Sequence, residues 1–165
     1  MKTPTLRLLT TADLAAYRAL LLPGLITDAN SFRMAPPDEE NAPFPTQNQS
    51  DSFTLGAYVS EQLAGIVSFQ REGHDRVKLR HKGLLFRMYV APNFRGQGIA
   101  RLLIQNLIDR VRTLGDVEQI ALTVVDTNPA KHLYERFGFQ AFSLEKRGIK
   151  WRGQYFDEAS MVLFL

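Results

Sequence analysis

Between Tyr89 and Asp109 the chain reads YVAPNFRGQGIARLLIQNLID: an apolar, β-like segment runs through Arg95-Gly96-Gln97-Gly98 straight into an amphipathic helix. Glycine at such a junction frees the backbone to take left-handed dihedrals and to approach a ligand closely. Successive N–H groups then point inward, and the helix N-terminus favours negative charge, so the chemistry indicated is phosphate binding. Two alternatives fail. A dinucleotide fingerprint, G-x-G-x-x-G/A, needs a small residue where Arg101 stands, and its acidic residue should end the next strand, whereas Glu118 precedes one. A Walker loop needs Gly-Lys followed by Ser or Thr, which occurs nowhere. What remains is R-x-x-G-x-A over Arg95, Gly98 and Ala100, a pattern suited to wrapping a pyrophosphate in backbone amides, with Arg95 and Arg101 adding charge.

The charge distribution agrees. From Arg76 to Ile108 there are seven Lys or Arg and no Asp or Glu, while the other 13 basic residues face all 17 acidic ones. An acid-free island around a glycine turn is the footprint of a polyanion site; the plainer reading is a basic, solvated strand face. Nucleic acid is a poor match, because no aromatic platform is interleaved with the basic residues and the net charge is only +3. The chain has no cysteine, which excludes disulfides, thiolate metal sites and a cysteine nucleophile. Its three histidines, His74, His81 and His132, have no metal-site spacing, so no metal is expected. With 165 residues, 45% hydrophobic, residues 1–165 are read as one domain with one full core. No run of 18 uncharged apolar residues suggests a membrane span, and the leucine-rich start lacks a small-residue cleavage site, so a cytoplasmic protein is expected.

The elements that must position the glycine turn follow from periodicity. Thr5 to Leu9 reads as a strand and TTADLAAYRALLL as a helix, with capping-box spacing at Thr10 and Asp13 and a break at Pro23-Gly24. A second short helix is expected around Leu25 to Phe32. The four-proline stretch Ala35 to Ser52 reads as a loop of the kind that shapes binding sites. FTLGAYVSEQLAGIVSFQRE reads as two strands about Ser60 to Gln62, and RVKLRHKGLLFRMYVAP as one long strand with Arg76, Lys78, Arg80 and Lys82 on one face. If that alternation ran on, Arg87 would point inward beside Leu85 and Tyr89; a bulge before Val90 would relieve this. The helix after the glycines carries Ile99, Leu102, Leu103, Leu107, Val111 and Leu114 at helical spacing and stops at Gly115. Gln119 to Val125 is a continuous apolar run suited to a buried parallel strand, completing a βαβ unit. In NPAKHLYERFGF, Asn128 caps a short helix that begins at Pro129 and stops at Gly138. Two strands joined at Arg152-Gly153 close the chain. The fold class is α/β (α+β), with a mixed sheet of six or seven strands and about four helices.

With these elements placed, YVAPNFRGQGIA resembles the coenzyme A signature of the GNAT superfamily of N-acetyltransferases, Q/R-x-x-G-x-G/A after a V-x-P strand end. NPAKHLYERFGF is similar to the family's second signature, an Asn before a short helix with a Tyr six residues on and Gly-Phe after it. The two stand in the family's order, one helix and one strand apart. The resemblance is strong over Gly83 to Leu165 and weaker over Thr5 to Phe69.

The resemblance implies acetyl-CoA as co-substrate and an amine, in a peptide or a small molecule, as acceptor. It places the pyrophosphate on Arg95, Gly96, Gln97, Gly98, Ile99, Ala100 and Arg101, and the pantetheine along Met88, Tyr89 and Val90. The Met88 backbone N–H would polarise the thioester carbonyl. Tyr134 matches the general acid that protonates the leaving thiolate; packing on its helix face is the plainer role. Asn128 either caps its helix, contacts the co-substrate, or does both. The family's strand carboxylate base is missing here. His81 is the nearest candidate base, although a satisfied, partly buried histidine is the plainer explanation; Asp157, Glu158 or a water chain are the alternatives. A homodimer is an assembly state seen among relatives. A non-catalytic acyl-CoA-binding sensor is the rival function.

Overall fold

The computed structural model describes residues 3–165. Seven strands form one sheet: β1 (Thr5–Leu9), β2 (Ser52–Val59), β3 (Gln62–Arg71), β4 (Lys82–Val90), β5 (Gln119–Val125), β6 (Gln140–Trp151) and β7 (Gln154–Phe164). Their spatial order is β1-β2-β3-β4-β5-β7-β6, with β4 and β5 parallel and every other neighbour antiparallel. The helices are α1 (Leu14–Thr27), α2 (Pro36–Glu40), α3 (Ile99–Arg112) and α4 (Ala130–Arg136). No helix among the described residues is long and apolar enough to cross a membrane.

Two hairpin turns show why β2–β3 and β6–β7 pair as they do. Ser60 and Glu61 (φ 51° and 67°), and Arg152 and Gly153 (φ 47° and 79°), supply the two consecutive left-handed residues that match a two-residue turn to the strand twist. Apart from the exposed edge strand β6, the sheet buries both faces. One packs on α3, whose Ile99, Leu103, Ile104, Leu107, Ile108 and Val111 are buried. The other packs on α1 through Tyr17, Leu20, Leu21 and Leu25, with Phe44 from the proline-rich stretch. In the 3-10 turn Thr11–Asp13 that leads into α1, the Thr10 amide donates to Asp13 Oδ2 (2.9 Å) and Thr10 Oγ1 accepts from the Ala12 amide (3.2 Å), so the capping spacing caps this turn and not α1 itself.

Three sequence expectations are corrected. Pro23-Gly24 does not break the first helix: α1 runs on to Thr27, and only a 3-10 turn, Ala29–Ser31, follows where a second helix was expected. Proline removes one backbone bond there, but Leu20, Leu21, Gly24 and Leu25 are buried around it, and that burial outweighs the loss. Gly24 is required by contact, since a Cβ on it would stand 2.4 Å from Tyr89 Cζ. The proline-rich stretch is not all loop, because Pro36 begins α2. The long basic strand also starts late. Residues 72–81 form consecutive turns, with the Arg76 amide bonded to the Gly73 carbonyl and the Leu79 amide to the Arg76 carbonyl. Arg71 holds them in place, donating to the Arg80 carbonyl and to Asp51 and Asp116. Of the four basic residues read as one strand face, only Lys82 lies in β4.

Candidate active site

β4 and β5 pair only at Lys82↔Gln119, Gly83↔Ile120 and Leu84↔Ala121. Beyond Leu84 they part, and a cavity of about 880 Å³ opens between them. Its walls are the diverging strands, α4, the segment from Asp28 to Met34, and Ile149 and Glu158 from β6 and β7. A wedge between parallel strands frees backbone groups for a ligand that lies along the strand edge.

The expected bulge lies at the mouth of this wedge. Opposite β3, Ser68 pairs with Phe86 and Ile66 with Tyr89, so Arg87 and Met88 together face Val67. The extra residue reverses the alternation: Leu85 packs in the α3 cluster, whereas Tyr89, four residues on, packs in the α1 cluster. Arg87 takes φ 52°, and its Nη1 donates to Glu39 Oε2 and to the Tyr17 hydroxyl, both at 2.8 Å. Burial pushes the Tyr17 phenol up to about 12, with Arg87 opposing.

At one end of the cavity, β4 leads through the 3-10 turn Pro92–Phe94 to the glycines. Gly96 and Gly98 have φ 74° and 78°, and a Cβ on either would meet nothing within 4 Å. The glycines are therefore needed for backbone conformation and border open space. The first helical bond of α3 runs from the Leu102 amide to the Gly98 carbonyl. Among the described residues, the amides of Gly96, Gln97, Gly98, Ile99, Ala100 and Arg101 donate to no protein acceptor. They form the open amide cradle that a pyrophosphate fits. Arg95 contributes differently from the charge expected of it. Its Nε donates to the Val90 carbonyl (3.0 Å), its Nη2 pairs with Asp28 Oδ2 (2.8 Å), and its guanidinium lies over the Tyr89 ring. The hydrogen bond from Arg95 holds the Asp28 carboxyl below the usual range. Arg95 thus braces the turn against the end of α1, leaving the backbone and the exposed Arg101 facing outward.

Across the cavity stands α4. Asn128 Oδ1 accepts from the Ala130 amide (2.9 Å), so Asn128 does cap the helix, and it also lines the cavity. Tyr134 lines the cavity too, is 6% exposed, and packs edge-on against Phe139. Its hydroxyl has no protein hydrogen-bond partner among the described residues, and burial pushes the phenol well above its ordinary value.

The candidate bases separate. His81 lies in the turns before β4, and its carbonyl accepts from the amides of Glu118 and Gln119. It stands at the opposite end of β4 from Met88, about 23 Å along the strand, and does not line the cavity. Asp157 points away, bonding Lys146 Nζ and the Arg147 amide. Glu158 lines the cavity, 2% exposed, with Arg33 Nε and Nη2 donating to its two oxygens at 2.8 Å each. Arg33, Asp28 and Glu39 were not legible as site residues in the sequence. They reach the site from 125, 67 and 48 positions away from their partners.

The model of the "Acetyltransferase (GNAT) family" matches residues 23–139. N-alpha-acetyltransferase 30 of Schizosaccharomyces pombe is 32% identical over 92 residues, which is 56% of this chain and 60% of that protein. Spermidine N(1)-acetyltransferase of Vibrio cholerae is 40% identical over 60 residues, 36% of this chain and 35% of that protein. The match thus spans less than two thirds of the length of either relative. Among solved structures, a Salmonella typhimurium protein with its cofactor acetyl-CoA superimposes with a TM-score of 0.81 at 20% identity, covering 99% of this chain and 95% of that one.

Proposed function

The chain belongs to the acetyltransferase (GNAT) family, and from that premise we propose that it moves an acetyl group from acetyl-CoA to a primary amine by direct attack within a ternary complex. The observation that carries this reading is one cavity with an open amide cradle at one end and the unpartnered Tyr134 hydroxyl in its wall. The amides from Gly96 to Arg101 bind the pyrophosphate. The parted edge of β4 at Met88, Tyr89 and Val90 takes the pantetheine arm, and the Met88 N–H donates to the thioester carbonyl oxygen as charge builds on it. The amine nitrogen bonds to the carbonyl carbon, and the C–S bond breaks. Tyr134 gives its proton to the departing sulfur. The phenol holds its proton across the neutral range; burial raises its pKa and so makes it a weaker acid, and its proton therefore moves to the sulfur as the C–S bond breaks, not ahead of it. No acyl-enzyme is needed.

Glu158, a carboxylate in the cavity wall, attracts the acceptor's ammonium group; with both oxygens accepting from Arg33 it is a weak base, and the proton leaves through water. Since no carboxylate stands on β4, an amine that needs little help in losing a proton is favoured. A peptide α-amine, with pKa near 8, suits this better than a lysine or polyamine amine near 10.4. The named activity of the fission-yeast relative agrees with this preference, and that of the Vibrio cholerae relative, a spermidine acetyltransferase, points to the small amines instead. Release of CoA thiol from acetyl-CoA, measured with a pool of short peptides and a pool of small amines, tests it, with acetylated product identified by mass spectrometry. Release with peptides supports the reading, and release with small amines alone moves the acceptor to that class. Silence in both, with acetyl-CoA still raising the melting temperature, would make the chain a binding module.

A further inference from the structure

Arg87 is the one long side chain in the cavity wall whose backbone is left-handed, at φ 52°. L-residues resist that conformation, and it persists only where surroundings over-determine it. Here Nη1 is anchored twice at 2.8 Å, to Glu39 Oε2 and to the Tyr17 hydroxyl, and both partners are fully buried. The anchor is a poor stability device. Glu39 Oε1 is buried with no hydrogen-bond partner among the described residues. A half-satisfied buried carboxylate is costlier than an apolar side chain of the same size. What the anchor does is fix the residue whose dihedrals set the next peptide plane, the one that carries the Met88 N–H.

We propose that Arg87 is a positioning residue: anchored by Glu39 and Tyr17, it holds the β4 bulge in the left-handed conformation that aims the Met88 amide at the acyl carbonyl. Glu39 lies on α2, so the proline-rich segment is part of the same device. The inference rests on the acetyl-transfer reading for its consequence, but its geometry is testable without turnover.

The experiment compares Arg87→Ala, Arg87→Gly and Glu39→Gln by steady-state kinetics and by the Met88 amide resonance in NMR, without acceptor. Alanine lacks the anchor and still resists positive φ, so kcat should fall by roughly 100-fold with the acetyl-CoA KM nearly unchanged. Glycine adopts positive φ freely, so Arg87→Gly should recover most of kcat and return the Met88 resonance toward its wild-type position. Equal impairment of the two variants would overturn the inference, as would an Arg87→Ala protein of wild-type rate. Should Arg87→Ala fail to fold, Glu39→Gln takes its place. Its loss of kcat should vanish in the Arg87→Gly background, where no anchor is needed; an additive loss would count against the proposal. If the wild type transfers no acetyl group, the functional reading fails. The resonance then decides alone: displaced in Arg87→Ala and restored in Arg87→Gly upholds the positioning role, and unmoved in Arg87→Ala refutes it.

Discussion

Gly98→Ala separates what the glycine turn does for the fold from what it does for the co-substrate. Gly98 has φ 78°, and a Cβ there meets nothing within 4 Å. The folded protein alone therefore suffers only the left-handed penalty of an L-residue, about 1 kcal/mol. For a chain of this size that lowers the melting temperature by about 2–4 °C. On the proposed reading the pyrophosphate occupies that open space, and the Cβ or a relaxed dihedral takes at least one amide out of reach. One charge-assisted hydrogen bond is worth about 1.5–3 kcal/mol, which is about 10- to 100-fold in acetyl-CoA affinity. Calorimetric titration with acetyl-CoA reads that loss. A truncated thioester, acetyl-pantetheine, carries no pyrophosphate and should bind or turn over equally well with Gly98→Ala and wild type. Equal losses for both thioesters, or no loss for acetyl-CoA, would refute the amide cradle.

Two further expectations concern the side of the sheet covered by α1. Gly24→Ala would drive a Cβ to 2.4 Å from the Tyr89 ring, which is itself packed on Phe32. A helical Gly→Ala change ordinarily stabilises by about 1 kcal/mol; overpacking of about 1–3 kcal/mol reverses the sign, so a raised melting temperature in thermal denaturation would contradict the packing described. Tyr17 titrates at about 12 in the folded protein because burial penalises its phenolate. Its unfolded value is near 10, so the unfolded chain loses the proton first, and stability present below pH 10 drains away between pH 10 and 12, by up to about 1.4 kcal/mol per pH unit. Tyr134 and Tyr89 are raised by burial as well, so Tyr17→Phe should reduce the slope of that alkaline limb in chemical denaturation without abolishing it; an unchanged slope would remove Tyr17 as a source.

The half of the sheet that borders the cavity was legible because its signals are local. Glycines at a strand–helix junction, an Asn-Pro cap, and a buried apolar run each depend on near neighbours in the chain. The β4 bulge was legible for a different reason, since Arg87 broke an apolar alternation that the core could not accept. What escaped was long-range or decided by burial. Pro23 sits inside α1 because the surrounding turn is packed, which no local propensity reports. The alternation from Arg76 to Lys82 looked like a strand, but Arg71, together with Asp51 and Asp116, folds most of it into turns. Arg95 read as a phosphate-facing charge and proved to be tied to Asp28. Arg33–Glu158 and Glu39–Arg87 join positions with no relation in sequence, and only the closed sheet brings them to the cavity.

The central claim is that this cavity transfers an acetyl group with Tyr134 as its acid. The most direct measurement is CoA-thiol release by Tyr134→Phe against wild type, with the best acceptor found and with acetyl-CoA affinity measured alongside. The account predicts a kcat lower by about 100-fold or more, with acetyl-CoA binding nearly intact, because phenylalanine keeps the packing against Phe139 and loses only the proton. A variant that turns over at the wild-type rate would contradict it, and would leave Tyr134 as a packing residue in the wall.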